Sequence, residues 1–174
     1  MCCGCNKTII SICIALILLL IAIFVIVIII NNNNTKEPNI LVAIAKPGDN
    51  TTVGTTTIKF SENNIVEGTA ISHTEGSDEV IINETGIYQI SYQLFGVQDV
   101  TGTFNFNAVL LVNNTPLNDT FNQSPVIRNS TSNRMTLTST VILRLNAGDI
   151  LKLQGVSIED ITYQNARIDI EKIG

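Results

Sequence analysis

The sequence predicts an all-β fold, an antiparallel jelly-roll sandwich of about ten strands preceded by one N-terminal transmembrane helix. Three observations predict it. From Thr8 to Ile30 the chain carries no charge, and after Thr8 it consists of Ile, Leu, Val, Ala and Phe with only Ser11 and Cys13 between them. After residue 30 no stretch shows a helical period, while short segments alternate apolar and polar residues between turn signals. The clearest is Gly86 to Gly96, where Tyr88, Ile90, Tyr92 and Leu94 recur at every second position and Gln89, Ser91 and Gln93 fill the gaps, the period of a strand with one buried face.

A chain of 174 residues suffices for one domain of ordinary size plus an appendage. It is 45% hydrophobic and only 14% charged, and abundant Ile and Thr favour sheet over disorder. Beyond residue 30 there are nine basic and fifteen acidic side chains, a balance of −6. Nucleic acid is therefore excluded as a partner, because its binding needs a basic patch to displace counterions.

The N-terminal tail, residues 1–8, holds Cys2, Cys3 and Cys5, which are candidates for acylation beside a membrane. No second Cys pair or His lies near enough to complete a zinc site, and free thiols are the plainer reading. Residues 9–30 follow; at about 1.5 Å per residue they make a helix of roughly 33 Å, enough for a hydrocarbon core of about 30 Å. A cleaved secretion signal has a shorter apolar region and a small-x-small site, which Val25 to Ile30 and the four Asn after it do not offer. Lys7 places the N-terminus inside and the domain outside.

Residues 31–54 read as a polar tether, interrupted by Pro38, and a short apolar strand at Ile40 to Ala45 that ends in the turn Lys46-Pro47-Gly48-Asp49-Asn50. The domain proper is expected over 55–174. Its strands are expected at Thr55 to Phe60, Val66 to Ser72, Val80 to Asn83, Gly86 to Gly96 and Thr103 to Asn113. Asn113-Asn114-Thr115-Pro116 turns the chain, Pro116 to Gln123 is a weak strand, and a loop runs from Ser124 to Asn133. Met135 to Leu145 alternates again, Leu151 and Leu153 mark a further strand, and the last runs from Ala166 to Ile173.

Gly-Ile-Tyr-Gln-Ile-Ser-Tyr at 86–92 resembles the Gly-x-Tyr-x-Phe-x-Tyr strand of the TNF-like jelly rolls, the fold of tumour necrosis factor and of the complement globular heads. Leu145 to Leu153 and Asn165 to Ile173 are similar to the closing strands of the C-terminal domain of BclA, the collagen-like glycoprotein of the bacillus exosporium. The resemblance covers residues 55–174 and implies a homotrimer carried on a spore or cell surface, with display or binding of a protein or glycan ligand as its role. It also implies that Gly86 allows a tight start to the strand while Tyr88, Ile90, Tyr92 and Leu94 fill the core. The trimer interface would then involve the opposite face, Ile87, Gln89, Ser91, Gln93 and Phe95, to which the last strand adds Arg167, Asp169 and Glu171. That face is more polar than the centre of most stable homo-oligomer interfaces. No Gly-x-y repeat precedes the domain, so the collagen-like stalk of those relatives is absent here.

Enzymatic readings fare poorly. His73 is the single histidine, and its neighbours Ser72, Glu75 and Asp78 share one turn-like stretch rather than converging from separate elements. Glu159 and Asp160, or Asp78 and Glu79, lack the spaced oxygen ligands of a calcium loop. No metal, no cofactor and no catalytic residue is expected. Sequons at Asn50, Asn83, Asn118, Asn122 and Asn129 are explained by a composition rich in Asn and Thr as readily as by glycosylation. The expected function is a surface-displayed trimer with a structural or adhesive role; the alternatives are a receptor-binding ligand of the same fold and a carbohydrate-binding jelly roll.

Overall fold

A strand whose apolar residues occupy every second position can be buried on one face only, and its neighbours must close that face. The computed structural model describes residues 5–34, 38–47, 50–98, 102–130 and 133–174. They fall into two units, Met1–Glu37 and Pro38–Gly174.

In the first unit the backbone is helical over Cys5–Asn34, α1. Side chains are described at 11, 12 and 14–28, and the large apolar ones among them are 43–66% exposed. Among the described residues no helix is long and apolar enough to cross a membrane. The unbroken run 14–28 rises only about 22 Å at 1.5 Å per residue, against a hydrocarbon core of about 30 Å. The structure thus gives the helix where the sequence places one, without showing a crossing.

Among the described residues of the second unit the regular elements are strands, save one 3₁₀ turn. In chain order the strands are β1 (Ile40–Ala45), β2 (Asn50–Thr57), β3 (Glu62–Glu67), β4 (Ile71–His73), β5 (Val80–Ile82), β6 (Gly86–Gln98) and β7 (Gly102–Phe104). They continue as β8 (Phe106–Val112), β9 (Thr115–Pro116), β10 (Asn122–Gln123), β11 (Ile127–Ser130), β12 (Asn133–Leu145) and β13 (Ile150–Lys172). One layer of the sandwich runs β3–β1–β13–β6–β12, antiparallel throughout. In the other layer the first half of β13 pairs with β8 on one side and with β5 and β2 on the other. β13 therefore belongs to both layers, and the two expected strands at its ends are one strand that crosses between them.

The inward residues of the two layers meet in one core, which includes Leu41, Ile58, Phe60, Tyr88, Ile90, Tyr92, Leu94, Phe106, Leu110, Tyr163, Ile168 and Ile170. Three differences from the expected strands have local causes. Val66 to Ser72 is broken at Gly68, whose φ of +73° strands do not use. Asn39 holds that turn, its Oδ1 accepting from the N–H groups of Thr69 at 3.0 Å and Ala70 at 2.9 Å. The weak strand at 116–123 is instead a 3₁₀ turn over Asn118–Thr120 between two strand pairs. There the buried Thr120 hydroxyl accepts from Leu110 N–H and donates to Leu117 O, closing part of the edge of β8. The expected loop after Ser124 contains β11, which pairs with β7.

Asn113 and Asn114 both have positive φ, 51° and 63°, as a two-residue hairpin turn between β8 and β9 requires. The Asn113 amide reaches the next turn at Asp149, 2.9 Å away. The N–H of Asn146 and this amide hold the Asp149 carboxyl below its ordinary value of 3.8. A depressed carboxylate contributes stability that is present above its unfolded value and lost as pH falls through the lower folded value. Asp149→Asn is expected to lower the urea midpoint at pH 7 and to reduce its fall between neutral pH and pH 3, read by chemical denaturation at each pH.

Candidate interaction face

Because β6 turns Tyr88, Ile90, Tyr92 and Leu94 inward, at 0, 1, 4 and 0% exposure, its other face must carry whatever the layer presents outward. On that face Gln89 and Gln93 are exposed, and Ile87, Ser91 and Phe95 are half-buried. Ser91 bonds to the Thr140 hydroxyl at 2.9 Å. Ile87 is engaged by the C-terminus, donating its N–H to Gly174 O at 2.7 Å while its carbonyl accepts from Ile173 N–H at 2.8 Å.

Gly86 has ordinary negative φ, so backbone freedom does not explain it. Space does: a Cβ there would stand 2.6 Å from both Gly174 O and the Lys172 side chain. Lys172 is itself nearly buried and pairs with Glu84 at 2.6 Å, which raises its pKa and fixes the chain end over the start of β6.

Registers extend the face across the layer. Glu67, Ile40, Glu171 and Gln89 lie in one row, followed by Ile142 of β12; Ile65, Val42, Asp169, Ser91 and Thr140 make the next. A third contains Glu62, Ile44, Arg167, Gln93 and Thr138. Arg167 Nε donates to both Asp169 oxygens, at 2.8 and 2.9 Å. Two shallow grooves lie on this face: one of about 220 Å³ where Ile40 of β1 and Gln89 of β6 flank Arg167, Asp169 and Glu171 of β13, another of about 260 Å³ between Ile44, Gln93 and Arg167. The sequence pattern located β6 in this face but missed the shares of β1 and β12, because partners in a sheet follow from topology rather than spacing. The one signal available was β12 itself, which has two arginines and no acid.

The chemical candidates do not converge. His73 holds Asn63 Oδ1 at 2.6 Å and Ser77 O at 3.1 Å with its two ring nitrogens, while the Ser72 hydroxyl bonds Asn83, so no nucleophile meets a base. Asp78 and Glu79 are occupied by Lys152, at 3.6 and 2.9 Å. Burial raises the Asp78 carboxyl, but its bond from Thr57 and the Lys152 charge outweigh that and leave it below the ordinary value. Among the described residues no group of three or more His, Cys, Asp or Glu could hold a metal ion. Cys2, Cys3 and Asp160's side chain lie outside what is described, and Cys5 opens α1. Of the sequons with described side chains, the Asn83 and Asn122 amides donate to Thr69 O and Thr138 O, and Asn118 is exposed.

Residues 30–174 match the family model of the BclA C-terminal domain. No curated protein matches the chain by sequence. Among solved structures, murine APRIL at pH 8.5 is similar at 20% identity and a TM-score of 0.53, covering 79% of this chain and 100% of that one. Eiger TNF from S. frugiperda is similar at 14% identity and 0.55, covering 80% and 94%, and the PRD1 vertex protein P5 at 14% and 0.53, covering 78% and 97%. At these identities the structural likenesses establish the jelly-roll fold.

Proposed function

The chain belongs to the family of the BclA C-terminal domain, and from that premise we propose that it is a membrane-anchored, surface-displayed module that assembles as a homotrimer and acts by structural or adhesive binding. The observation that carries this reading is the outer face of the β3–β1–β13–β6–β12 layer. Gln89, Ser91 and Gln93 of β6 and Glu171, Asp169 and Arg167 of β13 make its middle polar, and beyond β13 the strand β1 adds the partly exposed Ile40 and Ile44. A face of mixed polar and apolar side chains has the composition of a non-obligate protein contact, which as a whole is about as apolar as the rest of a protein surface.

Anchoring rests on the uncharged segment 9–30, whose full length is enough to span a bilayer core, and on Lys7, which directs the domain outward to a cell or spore surface. The ligand, a protein or a glycan, binds to what the assembled trimer leaves open. The test is the mass of the full chain extracted from membranes in a non-ionic detergent, measured by sedimentation with the detergent density-matched. About three times 18.9 kDa is expected; a single chain at micromolar concentration overturns the assembly. Deleting residues 9–30 is expected to move the protein from the membrane pellet to the supernatant, and its retention in the pellet overturns the anchor.

A further inference from the structure

The inward line of β6 runs Tyr88, Ile90, Tyr92, Leu94 and Gly96 and then ends in Gln98, a polar residue where the pattern calls for an apolar one. Gln98 is 1% exposed, and neither its Nε2 nor its Oε1 has a hydrogen-bond partner among the described residues. Directly across from it stands Asn133, the first residue of β12, 8% exposed, whose buried Nδ2 is unpartnered in the same sense. Cross-strand neighbours on one face lie about 4.5–5.5 Å apart at Cβ, so the two amides form one group. Two further strands close on it. A Cβ on Gly102 of β7 would lie 3.2 Å from Gln98 Nε2 and 3.8 Å from Glu159 Oε2 of β13. The backbone of Gly102 is outside the left-handed region, so what the glycine supplies is room, a notch between amide and carboxylate. Ser157 donates its hydroxyl to Glu159 O at 2.5 Å and fixes the backbone that brings the carboxylate here. Glu159 itself is exposed and has no ion pair among the described residues, so its side chain is able to turn outward and admit a group to the amide beneath.

A buried amide without partners costs stability, so this pair is a place where the fold departs from what its own packing favours, the mark of a site. We propose that this end of the sandwich binds hydroxyl groups of a neutral glycan, with Gln98 and Asn133 as the binding amides and Glu159 as an acceptor at the rim. This rests on the reading that the domain binds a ligand, and it names the class of that ligand. Both amide NH2 groups and the Gln98 carbonyl oxygen are unused. A metal cation would take the oxygens and leave the NH2 groups facing its charge. An anion would meet Glu159 at the mouth and a domain balance of −6 behind it. A hydroxyl is neutral and both donates and accepts at one small atom, so it suits the notch, and adjacent hydroxyls of a sugar ring answer an amide's N–H and C=O together. A peptide is anchored by large side chains in pockets, for which a notch the size of a methyl group has no room. The group belongs to the inward line of β6, not to the outer face proposed for assembly, so the two readings stand or fall separately.

The probe is a panel of immobilised neutral oligosaccharides of hexoses, 6-deoxyhexoses and N-acetylhexosamines, with sialylated and sulfated ones beside them. The full chain is applied in a polyoxyethylene detergent, which carries no sugar. Retention on a neutral glycan is expected, and Gln98→Met, Asn133→Leu and Gly102→Ala are each expected to weaken it about tenfold or more. Melting temperature is read on the same samples. Gln98→Met is expected to raise it by about 2–4 °C, because an unpaired amide leaves the interior, whereas a residue that holds the fold would lower it. A fall with Gln98→Met therefore overturns the proposal. So does the absence of retention on every neutral glycan, or retention on acidic ones alone. Retention that Gln98→Met leaves unchanged overturns the site and leaves an adhesive role standing elsewhere on the domain. Calcium chloride added without glycan is expected to leave the melting temperature unmoved; a rise that Glu159→Gln abolishes reassigns the site to a cation and overturns the glycan. Sedimentation mass is expected to be the same for every variant, so the homotrimer reading survives failure here.

Discussion

Gly155→Ala is expected to destabilise the domain by roughly 2–3 kcal/mol, a drop in melting temperature on the order of 5–10 °C for a domain of this size. Gly155 sits in the half of β13 paired with both Ala108 of β8 and Thr56 of β2, so its backbone is held on two sides. A Cβ built there falls 2.6 Å from the Tyr163 hydroxyl and 2.7 Å from its Cζ. Tyr163 is fully buried, with its ring 5.9 Å from that of Phe106, and cannot swing into solvent. The added methyl therefore meets a wall, and overpacking of this kind costs more than the strand propensity of alanine returns. Thermal unfolding of Gly155→Ala, Tyr163→Leu and the double variant checks the cause. The double variant is expected to lose less than the sum of the singles, since a shorter side chain at 163 makes room for the methyl. Tyr163→Phe separates a second effect: its hydroxyl is buried with no hydrogen-bond partner among the described residues, and burial pushes its pKa far up. Removing it is expected to be neutral or stabilising, by up to about 1 kcal/mol.

The same ring explains why β13 escaped a reading by period. Inward positions run Leu151, Leu153, Gly155, Ser157, then Ile161 and Tyr163, then Ala166, Ile168 and Ile170. Apolarity marks only some of these, because Gly155 must be small beneath Tyr163 and Ser157 turns its hydroxyl to Glu159 O. Pairing slips twice, between Ser157 and Ile161 and between Tyr163 and Asn165, and the second slip changes which parity faces the core. An alternation interrupted by a small residue and then shifted by one looks like two strands with a loop between them. Gly96 plays a matching part in β6, where a Cβ would meet the Phe106 ring at 2.8 Å. Nothing in the one-dimensional pattern distinguishes a glycine kept for space between layers from one kept for a turn.

Elements with one buried face and a clean turn were legible. β6 and β12 show their alternation, and the hairpin at Asn113-Asn114 announces itself, because local sterics and burial favour the same answer there. The interaction face was legible in its β6 strip and in Arg167, Asp169 and Glu171 of the last strand. Ile40 to Ala45 read as one short apolar strand, in which Leu41, Ala43 and Ala45 enter the core while Ile40, Val42 and Ile44 lie on the other face, with Val42 only 6% exposed. A strand apolar on both sides does not say which side is covered within one chain and which awaits another surface.

Tyr88→Ala is expected to cost roughly 3–5 kcal/mol, a large share of the about 5–15 kcal/mol that holds a domain of this kind together. The residue is 0% exposed at the start of β6, between Leu143 of β12 and Lys172 of β13, and its hydroxyl donates to Glu84 O at 2.5 Å. The two contributions separate: Tyr88→Phe keeps the ring and loses only the bond, about 1 kcal/mol, while the alanine change also leaves a cavity that the paired strands cannot collapse. Urea denaturation of both variants gives the comparison, and a loss below about 1 kcal/mol for alanine would show that β6 is not the strand on which the layers close. Gln89, the next residue, provides the control on the other face. It is exposed, so Gln89→Ala is expected to change stability by less than about 0.5 kcal/mol. Any effect it has on assembly then belongs to the surface between copies rather than to the fold, which places core and contact on alternate residues of one strand.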